Sequence, residues 1–537
     1  MTDLDALLDE WLREEIEESP VTASGLGIDG YDDQLGDLSA AAFERRDRRA
    51  EHWQRTLEAV PDDGLSVDQA IDRDLVLSAL RGREVMRDWE AWRRDPSVYL
   101  GPCLSGVFVL FLHRLHPEPE LARSAATRLR GVPQVLGDAR ANLDAARANR
   151  LIVERAVGQC RAAVGYARSM VPTEVHDPAL RADLAAAGEI AAAAFETFLP
   201  FLEELAAAAA GPYAIGEERY SGLLRHKELL GYGAVEMRER GRAAWAALDI
   251  EMAELAEQVD GSRDWRAVME RVNTEHPRTP EEMRAQYEDW TERARQFLVD
   301  RKLVTLPEGE RCLVEPSPPF QRPVLAVASY NAPPAFKPSL VGHFFVPYPP
   351  EGTSQDEVQQ RLADNSTQGV PTTAVHEAYP GHHWHLTWMQ QNPRPLRQAV
   401  RTPYFTEGWA LYAERMMREQ GFFTDPRQEL CHLDARIFRA ARIVVDTSLH
   451  IGDMTVDEAV DFMSTKATLT EPTARAEVGR YCAWPTQASS YLTGSLEIER
   501  IRERFFAEGR GDLRTFHDAI AGSGGLPIAL AERAVLA

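Results

Sequence analysis

The chain has little of several things that would narrow its role. Its 537 residues hold five cysteines (Cys103, Cys160, Cys312, Cys431 and Cys482), odd in number and without a Cys-x-x-Cys pair. That spacing builds neither a thiolate zinc site nor a disulfide framework, and it predicts reduced thiols in a cytoplasm. Positive charge is also scarce. Sixty basic side chains face 84 acidic ones, the net charge is −24, and only Lys227, Lys302, Lys337 and Lys466 are lysine. Without a basic face, neither nucleic acid nor an anionic membrane is expected as a partner. The longest apolar run, near "SGVFVLFLHRL", falls short of the ~18–20 residues of a membrane span. The opening "MTDLDALLDEWLREEIEESP" is acidic and amphipathic, with Leu4, Leu7, Leu8, Trp11 and Leu12 at helical spacing. A secretory signal is basic and then continuously apolar. These absences predict a cytoplasmic protein with no membrane and no nucleic acid among its partners; they say nothing of oligomeric state.

What is present is mostly helix. Residues 124–170 are rich in Ala, Leu, Arg and Glu, with apolar residues every three or four positions. An Ala-rich run from residue 178 reads as a helix pair, closed by Gly211-Pro212. We place a boundary there, between an N-terminal helical lobe (1–211) and a second helical lobe (212–537). Helices are predicted from about 220 to 259 and from 280 to 300, the latter opened by Thr279-Pro280. The exception is 303–350, rich in Pro, Val, Phe and Tyr, where short alternating runs predict strands at 312–315, 324–330 and 341–346. Helices resume near Ser354, with a break at Trp484-Pro485.

Just beyond the predicted strands stands "TTAVHEAYPGHHWHL", residues 372–386. Zinc ligands lie about 2 Å from the ion, so two histidines must converge. In His-Glu-x-x-His a regular helix achieves this with a spacing of four. Here His376 is followed by His382 and His383, six and seven positions on. On a straight helix the first points about 120° away, and the second rises ~10 Å further along. Pro380 opens the hydrogen-bond ladder and Gly381 admits unusual backbone angles. A bulge of two residues would bring His382 beside His376, with His383 as the competing ligand. His385 fits no shared geometry.

A third ligand is expected from "FTEGWALYAERM". Glu407 and Glu414, seven apart, share a helix face two turns from each other, so one ion takes only one of them. Glu407, beside Gly408, is the better candidate. In "FRAARIVVDTSLHIGDMT", Arg442, Asp446 and His450 form an i, i+4 ladder. Asp446 is placed to orient His450 toward a reaction centre, or the three form a structural ladder. "EVGRYCAWPTQASSYLTGSLE" offers Tyr481 and Tyr491 as oxyanion donors and Arg480 as a carboxylate clamp. A di-iron bundle would need two Glu-x-x-His pairs; Glu429–His432 is the single one.

Together "HEAYPGHHW", "TEGWALYAE", "ARIVVDTSLH" and "EVGRYCAWPTQASSYLTG" resemble the bacterial family called domain of unknown function 885. That family is similar to the gluzincin metallopeptidases, among them thermolysin, angiotensin-converting enzyme and carboxypeptidase Taq. The resemblance is densest over 310–500. It implies a mostly α-helical, bilobed protein with a deep cleft and a small antiparallel sheet beside the metal. It further implies one zinc ion per chain on His376, His382 and Glu407, with Glu377 as general base. One departure is Thr486, where a glycine is expected. The implied activity is hydrolysis of short peptides, with His450, Tyr481 or Tyr491 stabilising the oxyanion and Arg480 and His383 near the substrate. Strand 341–346 would then pair with an extended peptide at its edge. A zinc-dependent hydrolase of a non-peptide amide or ester, and a non-catalytic binding protein on the same scaffold, are the alternatives.

Overall fold

The computed structural model describes residues 3–319, 321–322, 327–350 and 352–537. The chain forms two compact units, Met1–Gly222 with Pro334–Lys337, and Leu223–Pro333 with Pro338–Ala537. Helices dominate both, as the composition indicates.

The first unit is built around α1 (Glu118–Asn142), α2 (Arg150–Gly165) and α3 (Pro178–Ala208). The periodic stretch 124–170 is divided because Leu143 turns extended and Asn149 caps α2, accepting the Leu151 N–H. The alanine-rich run is one long helix rather than two. Asp177 accepts the N–H groups of Ala179 and Leu180, and Pro178 sits in the first turn, where no hydrogen bond is lost. Leu184, Ala187, Ala191, Phe195, Phe198 and Leu202 then form one buried stripe that packs along α1 and α2. By length and composition α3 would suffice to cross a membrane; here its stripe is core.

The second unit opens with α4 (Ala234–Asp260) and α5 (Pro280–Arg301). The Thr279 hydroxyl caps α5 by accepting the Glu282 N–H. The helix expected over 220–259 is interrupted at 228–233. A small sheet follows, of β1 (Arg311–Pro316), β2 (Ser329–Asn331) and β3 (Val341–Val346), in the order β1-β3-β2. It is mixed: β3 runs parallel to β1, with Val314 opposite Phe344, and antiparallel to β2, with Tyr330 opposite Phe344. The parallel pairing follows from the long crossover between β1 and β3. Of the strand expected over 324–330, residues 324–326 lie outside the described residues and the observed strand begins at Ser329. One expectation is corrected. Because β3 is the central strand, both its backbone edges are already paired, so it cannot take up a peptide by edge addition.

The remaining helices that matter here are α6 (Val370–Glu377), α7 (His382–Met389), α8 (Pro403–Glu419), α9 (Pro426–Ile451), α10 (Glu471–Ala483) and α11 (Ser490–Ala507). Helix α4 lies along α9, and α8 along α11. The α8–α11 approach is set by two glycines. A Cβ on Gly408 would lie 2.6 Å from the Gly494 Cα, and one on Gly494 would lie 1.9 Å from the Tyr404 carbonyl oxygen. That contact fixes Glu407, next to Gly408, relative to Tyr491, one turn before Gly494. In the turn leading into α11, buried Thr486 has φ +70°. This left-handed region strains a β-branched residue and accounts for the glycine expected at that position.

Gly494→Ala should therefore force α8 and α11 apart and lower stability by about 1–3 kcal/mol in urea unfolding, the usual cost of overpacking. Thr486→Gly should act in the opposite direction, raising stability by about 1 kcal/mol through relief of backbone strain.

Candidate metal centre

Helix α6 stops at Glu377 and α7 begins at His382. Between them Pro380 supplies no N–H, and the Tyr379–Pro380 bond is cis. The Gly381 N–H reaches back to the Val375 carbonyl (3.0 Å) and the Trp384 N–H to the Ala378 carbonyl (3.1 Å). Both bonds span six residues, two more than a helical step. The chain is thus interrupted outright rather than bulged within one helix. A Cβ on Gly381 would lie 1.9 Å from the His376 carbonyl oxygen, so this approach admits only glycine. The outcome is the convergence that a straight helix forbids: the rings of His376 and His382 are 4.9 Å apart, nearly perpendicular at 89°.

Glu407 completes the cluster from α8. Its Oε2 lies 3.7 Å from His376 Nε2 and 3.3 Å from His382 Nε2. The three donor atoms lie within 4.8 Å of one another, the one such group of His, Cys, Asp or Glu among the described residues. Ligands at ~2.0–2.2 Å around a tetrahedral zinc are spaced ~3.3–3.5 Å, so two imidazoles and a carboxylate this close fit that ion. Glu414, two turns along the same face of α8, serves the other side of one histidine. It accepts the hydrogen bond of His376 Nδ1 at 2.7 Å, which fixes the tautomer and turns Nε2 toward Glu407. The second Glu414 oxygen lies 3.4 Å from His432 Nδ1.

The electrostatics follow from this stacking. Burial opposes charge on His376, but the Glu407 carboxylate beside it and the hydrogen bond to Glu414 outweigh it and hold the imidazole up at about 10. Burial likewise opposes charge on Glu414, and the hydrogen bond from His376, with His432 close by, brings it down to about 2. Against the same burial, His382 and His376 hold Glu407 well below the carboxylate range. Glu377, at the end of α6, moves the other way: burial raises it, and the histidines offset this only partly. It is a carboxylate of raised basicity within electrostatic reach of all three donors.

The other sequence-predicted residues divide. Tyr491 stacks on the His376 ring (centroids 6.5 Å, planes 19° apart), and Gln487 donates to its hydroxyl at 3.4 Å. His383, the competing ligand and expected substrate contact, is fully buried and turned away. Its Nε2 donates to Glu310 at 2.8 Å, and the Tyr330 hydroxyl of β2 donates to its Nδ1 at 2.9 Å. His385 is core, against Phe405 and Trp409. His450 is buried and hydrogen-bonds the Tyr481 carbonyl at 2.9 Å, while Asp446 stands 3.7 Å away, beyond hydrogen-bond reach. The expected Asp446–His450 orienting pair is therefore replaced by a backbone contact. Tyr481 donates to Glu477 at 2.6 Å, and Arg480 is held by Glu477 (2.9 Å) and Gln487. Neither presents a free polar tip to the cluster. Sequence reasoning missed Glu310, which lies some 70 positions from its partners, and Arg439, which shares a helix side with Arg442.

Replacing Glu414 by Gln removes one of the two carboxylates that hold His376 protonated. In the metal-free protein the His376 pKa should fall from about 10 toward the ordinary histidine value, as read by ¹⁵N NMR titration of the imidazole; an unchanged titration would remove Glu414 from this role.

The same fold occurs in solved structures. A Shewanella oneidensis protein described as "a putative lipoprotein of unknown function" superposes with a TM-score of 0.79 at 20% identity, covering 100% of both chains. A Colwellia psychrerythraea protein described as a "putative lipoprotein" superposes with a TM-score of 0.84 at 19% identity, covering 99% of this chain and 98% of that one. No curated protein matches the chain. The expectation of a cytoplasmic protein with no membrane among its partners is overturned, because the fold is carried end to end by proteins described as lipoproteins. A lipid anchor needs neither a spanning helix nor a basic face, so the absences that led to that expectation do not bear on it. The family model for "Bacterial protein of unknown function (DUF885)" matches residues 20–535, and the chain belongs to that family.

Proposed function

We propose that the chain is a zinc-dependent hydrolase of amide or ester bonds in small substrates, with Glu377 as general base. The observation that carries this reading is the convergence of His376, His382 and Glu407 beside a buried carboxylate of raised basicity. His376 Nε2, His382 Nε2 and the Glu407 carboxylate would hold the ion, with Glu414 keeping His376 in the right tautomer. Zinc bound there supplies Lewis-acid activation of water and of the acyl oxygen. Glu377 takes a proton from the attacking water and delivers it to the leaving group. Tyr491, stacked on a ligand ring, is the phenol placed to donate to the acyl oxygen as negative charge develops.

Short peptides are the finer reading, supported by the resemblance to gluzincin metallopeptidases. A non-peptide amide or ester is supported by a specific observation: the strand expected to bind an extended peptide has both edges occupied within its own sheet. A binding protein without catalysis is disfavoured by Glu377, since a purely structural ion has no use for a basic carboxylate beside it. The description of both fold relatives as lipoproteins supports a setting at a membrane surface.

Metal analysis of the purified protein should find one zinc per chain; no zinc, or two irons per chain, would overturn the proposal. Glu377→Gln should keep the zinc and lose roughly 10²–10⁴-fold in turnover, assayed over panels of short peptides and of small amides and esters. Equal turnover by both proteins would remove Glu377 from the reaction. Zinc with no turnover on either panel would leave the binding protein.

A further inference from the structure

Three arginines stand near Tyr491, and two of them are occupied. Arg442 donates to the Tyr481 hydroxyl at 3.2 Å and to Glu477 at 2.9 Å. Arg480, the carboxylate clamp expected from the sequence, is held by Glu477 and Gln487. Arg439, three residues before Arg442 on α9, differs. Its Nη1 donates to the Ala435 carbonyl of its own helix at 3.0 Å. Its Nε is buried and finds no acceptor among the described residues. Such orphaned buried donors are rare in folded proteins, and an absent ligand or water is the usual reason. The guanidinium carbon lies 6.0 Å from the centroid of the Tyr491 ring, which also has Arg442 at 4.9 Å and the His376 ring at 6.5 Å. Tyr491 thus adjoins both this cation and a residue of the metal cluster. Its positive charge reaches the carboxyls of Glu377 and Glu414, lowering both.

From this geometry we infer that Arg439 receives a carboxylate of the substrate, so that the centre takes small acyl compounds carrying a free carboxylate near the bond to be cut. A guanidinium fork matches a carboxylate with two parallel hydrogen bonds. Because both adjoin Tyr491, the Arg439 guanidinium lies no further from the His376 ring than the two centroid distances together allow, a span that holds at most about three extended residues at ~3.3–3.6 Å each. A short peptide with its free C-terminus beyond the scissile bond fits this span, as does an N-acyl amino acid. The inference rests on the hydrolase reading for its meaning, but its test does not depend on turnover.

The test is calorimetric binding of trialanine and of trialanine amide to zinc-loaded Glu377→Gln protein, with Arg439 intact and with Arg439→Met. The acid should bind roughly 30-fold more tightly than the amide, the size expected for one partner of a desolvated charge pair. Arg439→Met should abolish that preference while zinc content stays the same. Arg439→Lys, which keeps the charge and loses the planar fork, should retain part of it and covers the case in which the Met variant does not fold. Equal binding of acid and amide, no binding of either, or a preference that survives both substitutions would overturn the inference. Turnover by the wild-type protein is scored separately. A carboxylate preference without turnover sinks the hydrolase reading and leaves the inference standing; turnover with equal KM for acid and amide does the reverse.

Discussion

The centre depends on the approach of one backbone segment to another at Gly381. Its Cα lies so near the carbonyl oxygen of His376 that no side chain fits between them, and its N–H is committed to Val375. This contact folds the end of α6 back against the start of α7. The interruption is held from outside as well, since the indole N–H of Trp409 on α8 donates to the Pro380 carbonyl at 2.8 Å. The helix that supplies Glu407 therefore also fixes the loop that brings the two histidines together. Loop and carboxylate are placed by one element, so their separation does not depend on the looser parts of the unit.

The same economy governs charge. Glu407 and Glu414 cannot both reach one ion from one helix face, and the structure uses their separation: an imidazole fits between them, with one ring nitrogen toward each. The result is a histidine whose proton is strongly held and whose orientation is set by Glu414. Glu377 differs from Glu407 and Glu414, because there the histidines offset only part of the rise that burial causes. Beside Tyr491 lies Arg439, whose buried Nε finds no acceptor among the described residues. A carboxylate of raised basicity, the His376–His382–Glu407 cluster, a phenol and a guanidinium thus stand within a few side chains of one another, and on these groups the proposed hydrolysis rests.

Much of this was legible in the chain itself. Local chemistry marks Pro178, Thr279 and the Pro380-Gly381 pair, and helix arithmetic shows that neither His382 nor His383 converges with His376 without a break. Thr486 was legible as a departure from an expected glycine, and its left-handed backbone supplies the reason. What was not legible involves partners far apart in sequence. Nothing near Glu310 announces that it will bind His383 and so hold that histidine away from the cluster. Nor does the Arg442–Asp446–His450 spacing reveal that a backbone carbonyl of Tyr481 takes the hydrogen bond from His450. The reading of cellular setting failed for another reason: composition reports on the folded body and not on where a protein is held.

The sequence by itself determined the helical class, the position of the small sheet, the need for a break after His376 and the short list of donors, because each follows from spacing along one segment. Tertiary structure alone decided which histidine turns inward, that β3 is central and closed to a peptide, and which arginine Nε is left without an acceptor among the described residues. Those outcomes are settled by competition for hydrogen-bond partners between segments, and a buried donor takes whichever acceptor the packing brings within 3 Å of it.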